Sequence, residues 1–186
     1  MKQLLGIACA LALCLAPMAT FGDDVSAEQT VLTPESAYKI FISLEGTWKG
    51  TSLVVPVGDK KEDGVKSETT VKYETIANGS SVMATFLEDT PMEMVSMYHL
   101  DGPGELIHTH YCAVGNQPSM RFEKTSEPGV ITFEFLKGSN MDVNVDGHVH
   151  GGSMKLVDKD TIESTSKVWR DGKLDSVRYS RITRQK

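Results

Sequence analysis

From Gly46 onward the chain is a succession of short β-type runs cut at fairly regular intervals by turn formers, and no other feature narrows the fold as much. The separators are Gly58-Asp59, Asn78-Gly79, Asp89-Thr90-Pro91, Asp101-Gly102, Gly115-Asn116, Pro128-Gly129, Gly138-Ser139-Asn140, Asp158-Lys159-Asp160 and Asp171-Gly172, residue types that suit tight hairpin turns. They predict strands at about Thr47 to Val55, Lys66 to Ile76, Ser81 to Leu87, Met92 to Leu100, Glu105 to Ala113, Pro118 to Lys124, Val130 to Leu136, His148 to Val157, Thr161 to Arg170 and Lys173 to Thr183. An open antiparallel sheet of that length would present two unpaired edges, and closure into an up-and-down barrel removes both. The expected class is all-β, an antiparallel up-and-down β-barrel of about ten strands.

One segment breaks the rhythm. Thr33-Pro34-Glu35 offers an N-cap, a proline suited to the first turn and an acid near the positive end of a helix. Ala37, Ile40, Phe41 and Leu44 then recur at helical spacing before Gly46 stops the pattern, so a short N-terminal helix should precede the first strand. Upstream, residues 23–32 are polar and patternless and read as a flexible lead-in. Residues 1–22 read as a secretory signal peptide. Met1-Lys2 gives a short positive start, Leu4 to Pro17 is apolar but shorter than the roughly 20 residues of a bilayer-spanning helix, and Thr20-Phe21-Gly22 precedes a cleavage site. Cys14 sits where a lipoprotein signal would lipidate, but the bulky Leu13 before it argues against that. The expected organisation is a leader (1–22), a lead-in (23–32) and one barrel domain (33–186), secreted or periplasmic, with no membrane attachment after cleavage.

At 186 residues the chain suits a single domain and excludes a multidomain enzyme. Its 19 Lys and Arg against 25 Asp and Glu give a net charge of −6. With no basic cluster, that balance repels phosphate backbones and excludes nucleic acid as a partner. Lys2 is the only charged residue of the leader, so cleavage would leave 18 basic against 25 acidic residues, a charge of −7. Cys9 and Cys14 would leave with it, and Cys112 alone can form no intrachain disulfide.

Gly46-Thr47-Trp48-Lys49-Gly50, placed after the helix and opening the first strand, resembles the Gly-x-Trp signature of lipocalins and their calycin relatives, including nitrobindin-like haem barrels. Tyr73 to Gly79, Met94 to Leu100 and Tyr111 to Pro118 are similar to a group of bacterial secreted lipocalin-like proteins of uncharacterised activity, over nearly all of Pro34 to Arg184. The resemblance implies a lipocalin-like barrel whose base is plugged by Trp48. It also implies an arginine from the last strand stacked on that indole. Arg178, Arg181 and Arg184 are the candidates, with Arg181 the first choice.

All five histidines fall between His99 and His150, and four form the pairs His108/His110 and His148/His150. Residues two apart on a strand share a face, so His108, His110 and Cys112 make one row and His148 with His150 another. Two rows meeting inside a barrel would offer ligand types suited to zinc, copper or iron, although a metal needs three or four of them converging. Alternatively Ile107, Thr109 and Tyr111 face inward and the imidazoles lie on the surface. Gly102 followed by His108-Thr109-His110 opens like a cupin metal motif, but Val114 and Gly115 stand where its glutamate belongs. No nucleophile elbow, phosphate-cradling loop or His-Glu-x-x-His helix is present, and Glu123, Glu134 and Glu163 alternate with apolar neighbours like solvated exterior positions.

Ligand binding is better motivated. Met92, Met94, Met97, Met120, Phe122, Phe133, Phe135, Met141 and Met154 offer an adaptable apolar lining, and a barrel of this size can hold one small molecule. Tyr179 and Arg181 share a strand face, similar to the Arg and Tyr that hold a carboxylate in fatty-acid-binding barrels. The reading is therefore a non-catalytic protein that binds a small hydrophobic or amphipathic molecule, contacted by Tyr179, Arg181, Met94, Phe122 and Phe133. The alternative is a haem or zinc protein using His108, His110, Cys112, His148 or His150.

Overall fold

Thr33 caps the helix as its sequence predicts: its Oγ1 accepts from the Ser36 N–H at 3.2 Å while Ser36 Oγ accepts from the Thr33 N–H at 2.8 Å. The computed structural model describes residues 31–125 and 127–186, so the expected leader and most of the lead-in lie outside the described residues. Helix α1 (Pro34–Ser43) buries Ala37, Tyr38 and Phe41 and is followed by the buried Leu44.

The ten strands are β1 (Gly46–Pro56), β2 (Val65–Ile76), β3 (Ser81–Phe86), β4 (Met94–Leu100), β5 (Leu106–Tyr111), β6 (Gln117–Glu123), β7 (Val130–Ser139), β8 (His148–Asp158), β9 (Thr161–Arg170) and β10 (Lys173–Arg184). Each pairs antiparallel with its sequence neighbours, and β1 pairs with β10 to close the barrel. The turns form at the expected separators except after β7, which runs on through Gly138 and Ser139 to pair with Pro118 and Gln117, so that its connection to β8 begins at Asn140. At Asp171-Gly172, for example, both residues take positive φ (51° and 68°), the hairpin geometry that favours this dipeptide.

Alternation along the strands decides which side chains meet inside. On β10, Ser176, Arg178, Ser180, Ile182 and Arg184 face in, and Val177, Tyr179 and Arg181 face out, because Trp48 pairs with Arg184 and Ser52 with Ser180. Up-and-down connectivity places α1 and the turns after β2, β4, β6 and β8 at one end, the base, and leaves the turns after the odd-numbered strands at the mouth.

Trp48 seals the base. Its indole is fully buried, its Nε1 donates to the Leu44 carbonyl at 2.8 Å, and a guanidinium lies 4.3 Å above its ring. That guanidinium belongs to Arg184, which corrects the expectation of Arg181. The register pairs Thr51 with Arg181, and both lie on the opposite face from Trp48. Arg184 also donates to the Ser43 carbonyl at 2.9 Å and the Glu45 carbonyl at 2.6 Å, and its Nε lies 3.4 Å from Asp160 Oδ1. One side chain thus satisfies the orphan carbonyls at the end of α1 and ties the helix, the first strand and the last strand together.

Candidate functional site

Above the base the barrel is not filled by its own side chains. A cavity of about 570 Å³ opens toward the mouth. One part of its wall is apolar and aromatic, with Phe41, Val71, Phe86, Tyr98, Met120 and Phe133. Where β1, β8, β9 and β10 meet, the wall is small and polar instead, with Ser52, Gly152, Ser164, Ser166 and Ser180. The short side chains on those four strands make the room, since the same cross-strand positions filled by Leu or Phe would close it.

The aromatic wall is one stack. Phe41 and Tyr98 lie parallel with centroids 4.0 Å apart, Tyr98 stacks on His108 at 4.5 Å, and Phe133 meets His108 edge-on at 5.2 Å. His108 and His110 on β5 and Cys112 just after it line the cavity, and Ser96 on β4 pairs with His110. Ser96 Oγ lies 2.9 Å from His108 Nε2 and 3.0 Å from His110 Nδ1. A hydroxyl has one proton, so it donates to one imidazole and accepts from the other, which puts both rings in the same tautomer, Nδ1–H if Ser96 donates to His108 and Nε2–H if it donates to His110. Burial lowers both imidazoles, His108 to about 3 with His110 adding repulsion, and His110 to about 4 with the Arg178 charge adding to the effect. Both rings are therefore neutral at physiological pH. Burial likewise pushes the Tyr73 and Tyr98 phenols up, so both stay protonated.

These shifts predict a pH dependence. Unfolded imidazoles protonate near their ordinary value of 6.5, whereas the folded ones resist to about 4 and 3. Below 6.5 the unfolded chain binds more protons, so stability is full above that pH and falls as pH drops from about 6.5 toward 3. Melting temperatures measured across this range should decline, and His108→Phe, which keeps the stack without the titrating ring, should flatten the decline.

The mouth is knit by side chains from its loops. Asn116 Nδ2 donates to the Gly147 carbonyl at 2.9 Å and Asn140 Nδ2 to the Gly115 carbonyl at 2.7 Å. Asn116 Oδ1 is buried and has no hydrogen-bond partner among the described residues.

A scan against protein-family models finds none that matches this chain, and a search of the curated proteins finds none either. Among solved structures the barrel is similar to Rv2717c from M. tuberculosis, with a TM-score of 0.59 and 15% identity over 81% of this chain and 98% of that one. It is also similar to a protein of unknown function from the DUF3598 family of Nostoc punctiforme, with a TM-score of 0.55 and 15% identity over 78% of this chain and 49% of that one. This chain thus spans about half the length of the Nostoc protein. At 15% identity the likeness to both is one of fold.

Several sequence expectations change on this barrel. Tyr179 and Arg181 do not reach the cavity. They lie in a shallow depression on the outer face, where Arg181 pairs with Glu163 and Lys61 Nζ sits 4.1 Å from the centre of the Tyr179 ring. Met94 and Phe133 line the cavity, whereas Phe122 is buried beside Phe133, centroids 6.5 Å apart, without lining it. Of the other sulfur and aromatic candidates, Met92, Met120 and Met154 line it, and Met97, Phe135 and Met141 do not.

The two histidine pairs stay apart, because the bulge in β8 between Val149 and Gly151 leaves His148 paired with Trp169 and His150 stacked on it, on the face opposite the cavity-lining Val168. His150 is instead sandwiched between Phe135 at 4.5 Å and Trp169 at 3.9 Å, with its Nδ1 2.9 Å from His148 Nε2. Among the described residues no three His, Cys, Asp or Glu side chains come close enough together to hold a metal ion. The expected convergence at a zinc site is therefore not formed.

Sequence reasoning missed Ser96, the serine wall and the place of Arg178 at the cavity, having considered Arg178 only as a cover for Trp48. The only signal was their alternate spacing, Ser164/Ser166 on β9 and Ser176/Arg178/Ser180 on β10, and polar alternation ordinarily marks the wet face of a strand.

Proposed function

We propose that this protein binds one small, partly apolar molecule inside its barrel and acts as a carrier or scavenger, not a catalyst. The observation that carries this reading is the cavity of about 570 Å³, a volume within the range of small-molecule sites, with an aromatic wall facing a hydroxyl-rich one. An exported chain, as residues 1–22 lead us to propose, would meet such molecules outside the cytoplasm. The test is a titration with N-phenyl-1-naphthylamine, a neutral dye that fluoresces in apolar surroundings. Saturable binding near one dye per chain is the expected result. A panel of apolar probes that all fail to bind would leave the barrel a structural or interaction module.

A second reading, haem held through an imidazole, has one observation in its favour. His110 is a neutral ring at the cavity wall whose Nε2 makes no hydrogen bond among the described residues, and haem iron needs only one such ligand where zinc needs several. Added haem should then give a sharp absorption band that His110→Ala removes.

A further inference from the structure

Three ionised side chains line the cavity: Asp146, Arg170 and Arg178. The first two belong to the mouth and have partners, Asp146 Oδ2 accepting from the Asp142 N–H at 2.8 Å and Arg170 Nε lying 4.0 Å from Asp175 Oδ1. Arg178 stands deeper, midway along β10, and makes no ion pair or hydrogen bond among the described residues, although Arg121, Arg170, Arg181 and Arg184 all have acidic neighbours. Around it are hydroxyls. Ser166 is its cross-strand partner on β9, and the next inward row toward the base is Ser52, Ser180 and Ser164, with Ser52 Oγ and Ser180 Oγ 2.7 Å apart. The charge is close enough to His110 to disfavour a second cation there. An uncompensated guanidinium in a half-buried pocket is costly unless an anion completes it, and its planar fork of donors matches carboxylate, sulfonate and phosphate oxygens.

We propose that the ligand is an anionic amphipath whose acidic group seats against Arg178 and the serine hydroxyls while its apolar body packs on the Phe41, Tyr98 and Phe133 wall. This rests on the reading that the barrel binds a small molecule, and it names that molecule's chemical class. It also moves the acid-binding role from Arg181, which lies outside, to an inward arginine three residues earlier.

The test uses two dyes with the same ring skeleton. 1-Anilinonaphthalene-8-sulfonate carries a sulfonate, and N-phenyl-1-naphthylamine lacks it. Arg178→Gln should weaken the sulfonate dye by about tenfold or more and leave the neutral dye within about twofold, the range expected for losing a charged hydrogen-bond pair. Arg178→Lys should recover part of the loss, and Arg181→Gln should change neither dye. The ligand-free melting temperature of Arg178→Gln should equal or exceed that of the parent, because an unpaired charge is removed. A purely structural arginine would lower it. In the unmutated protein, decanoate should displace the neutral dye at about a tenfold lower concentration than decanol, a measurement that stands even if the variants fold poorly. Equal losses for both dyes, or decanol competing as well as decanoate, would overturn the anion site while leaving the binding reading intact. Failure of the sulfonate dye alone to bind the unmutated protein would also overturn the anion site, and failure of both dyes would overturn both readings.

Discussion

Trp48→Ala should lower the free energy of unfolding by about 3 to 5 kcal/mol, the cost of truncating a large aromatic in a core that cannot collapse around the hole. Three losses combine at this position. The indole is fully buried, the Leu44 carbonyl at the end of α1 loses its 2.8 Å donor, and Arg184 loses the ring it covers at 4.3 Å. Nothing nearby can shift to compensate, since Arg184 is already committed to the Ser43 and Glu45 carbonyls. Trp48→Phe should cost less, because it keeps most of the apolar volume. Denaturant melts measure both variants, and a loss under about 0.5 kcal/mol for the alanine variant would be surface behaviour, incompatible with a base plug.

Ser164→Phe should reduce binding of N-phenyl-1-naphthylamine by about a hundredfold while changing stability by only about 1 kcal/mol in either direction. Ser164 projects from the middle of β9, beside Ser180 on one side and Met154 on the other, into the open part of the cavity. A phenyl group there occupies the ligand's volume and gains apolar contacts that offset its strain. If the variant binds the dye as well as its parent does, the dye sits elsewhere and the cavity is not the site. The exterior depression around Tyr179 would be the next place to look.

The architecture was legible because its signals are local. Each hairpin announces itself through residues such as Asp171-Gly172 that tolerate positive φ, and the β9 prediction coincides with the strand observed, Thr161–Arg170. Sidedness was not legible. On β10 the shared face of Tyr179 and Arg181 reads as the ligand side, yet the inner row is Ser176, Arg178, Ser180. Hydrophobicity predicts burial only where the interior is packed. A barrel that keeps a cavity open for a polar group inverts the rule locally, and on the outside the Lys61 ammonium covers the Tyr179 ring. His150 was misplaced for a different reason. A bulge has no sequence signature strong enough to read, and one extra residue changes which side of the strand a side chain serves. The β5 row needed no such correction, since β5 pairs with both neighbours without a register shift and carries His108 and His110, with Cys112 just after it, into the cavity.

Closure through β1 and β10 has a kinetic consequence. Every other ladder joins consecutive strands across a short connection, but Trp48 meets Arg184 only after the whole intervening polypeptide has been laid down. That pairing carries the largest loop-closure entropy in the molecule and should come late in folding. Until it forms, the chain is a curled ribbon with β1 and β10 as bare edges, competent to pair with a second copy of itself. Arg184 then acts as a latch: the residue that completes the ring is also the one that holds the helix over its end, so sealing the seam and stoppering the base become a single event.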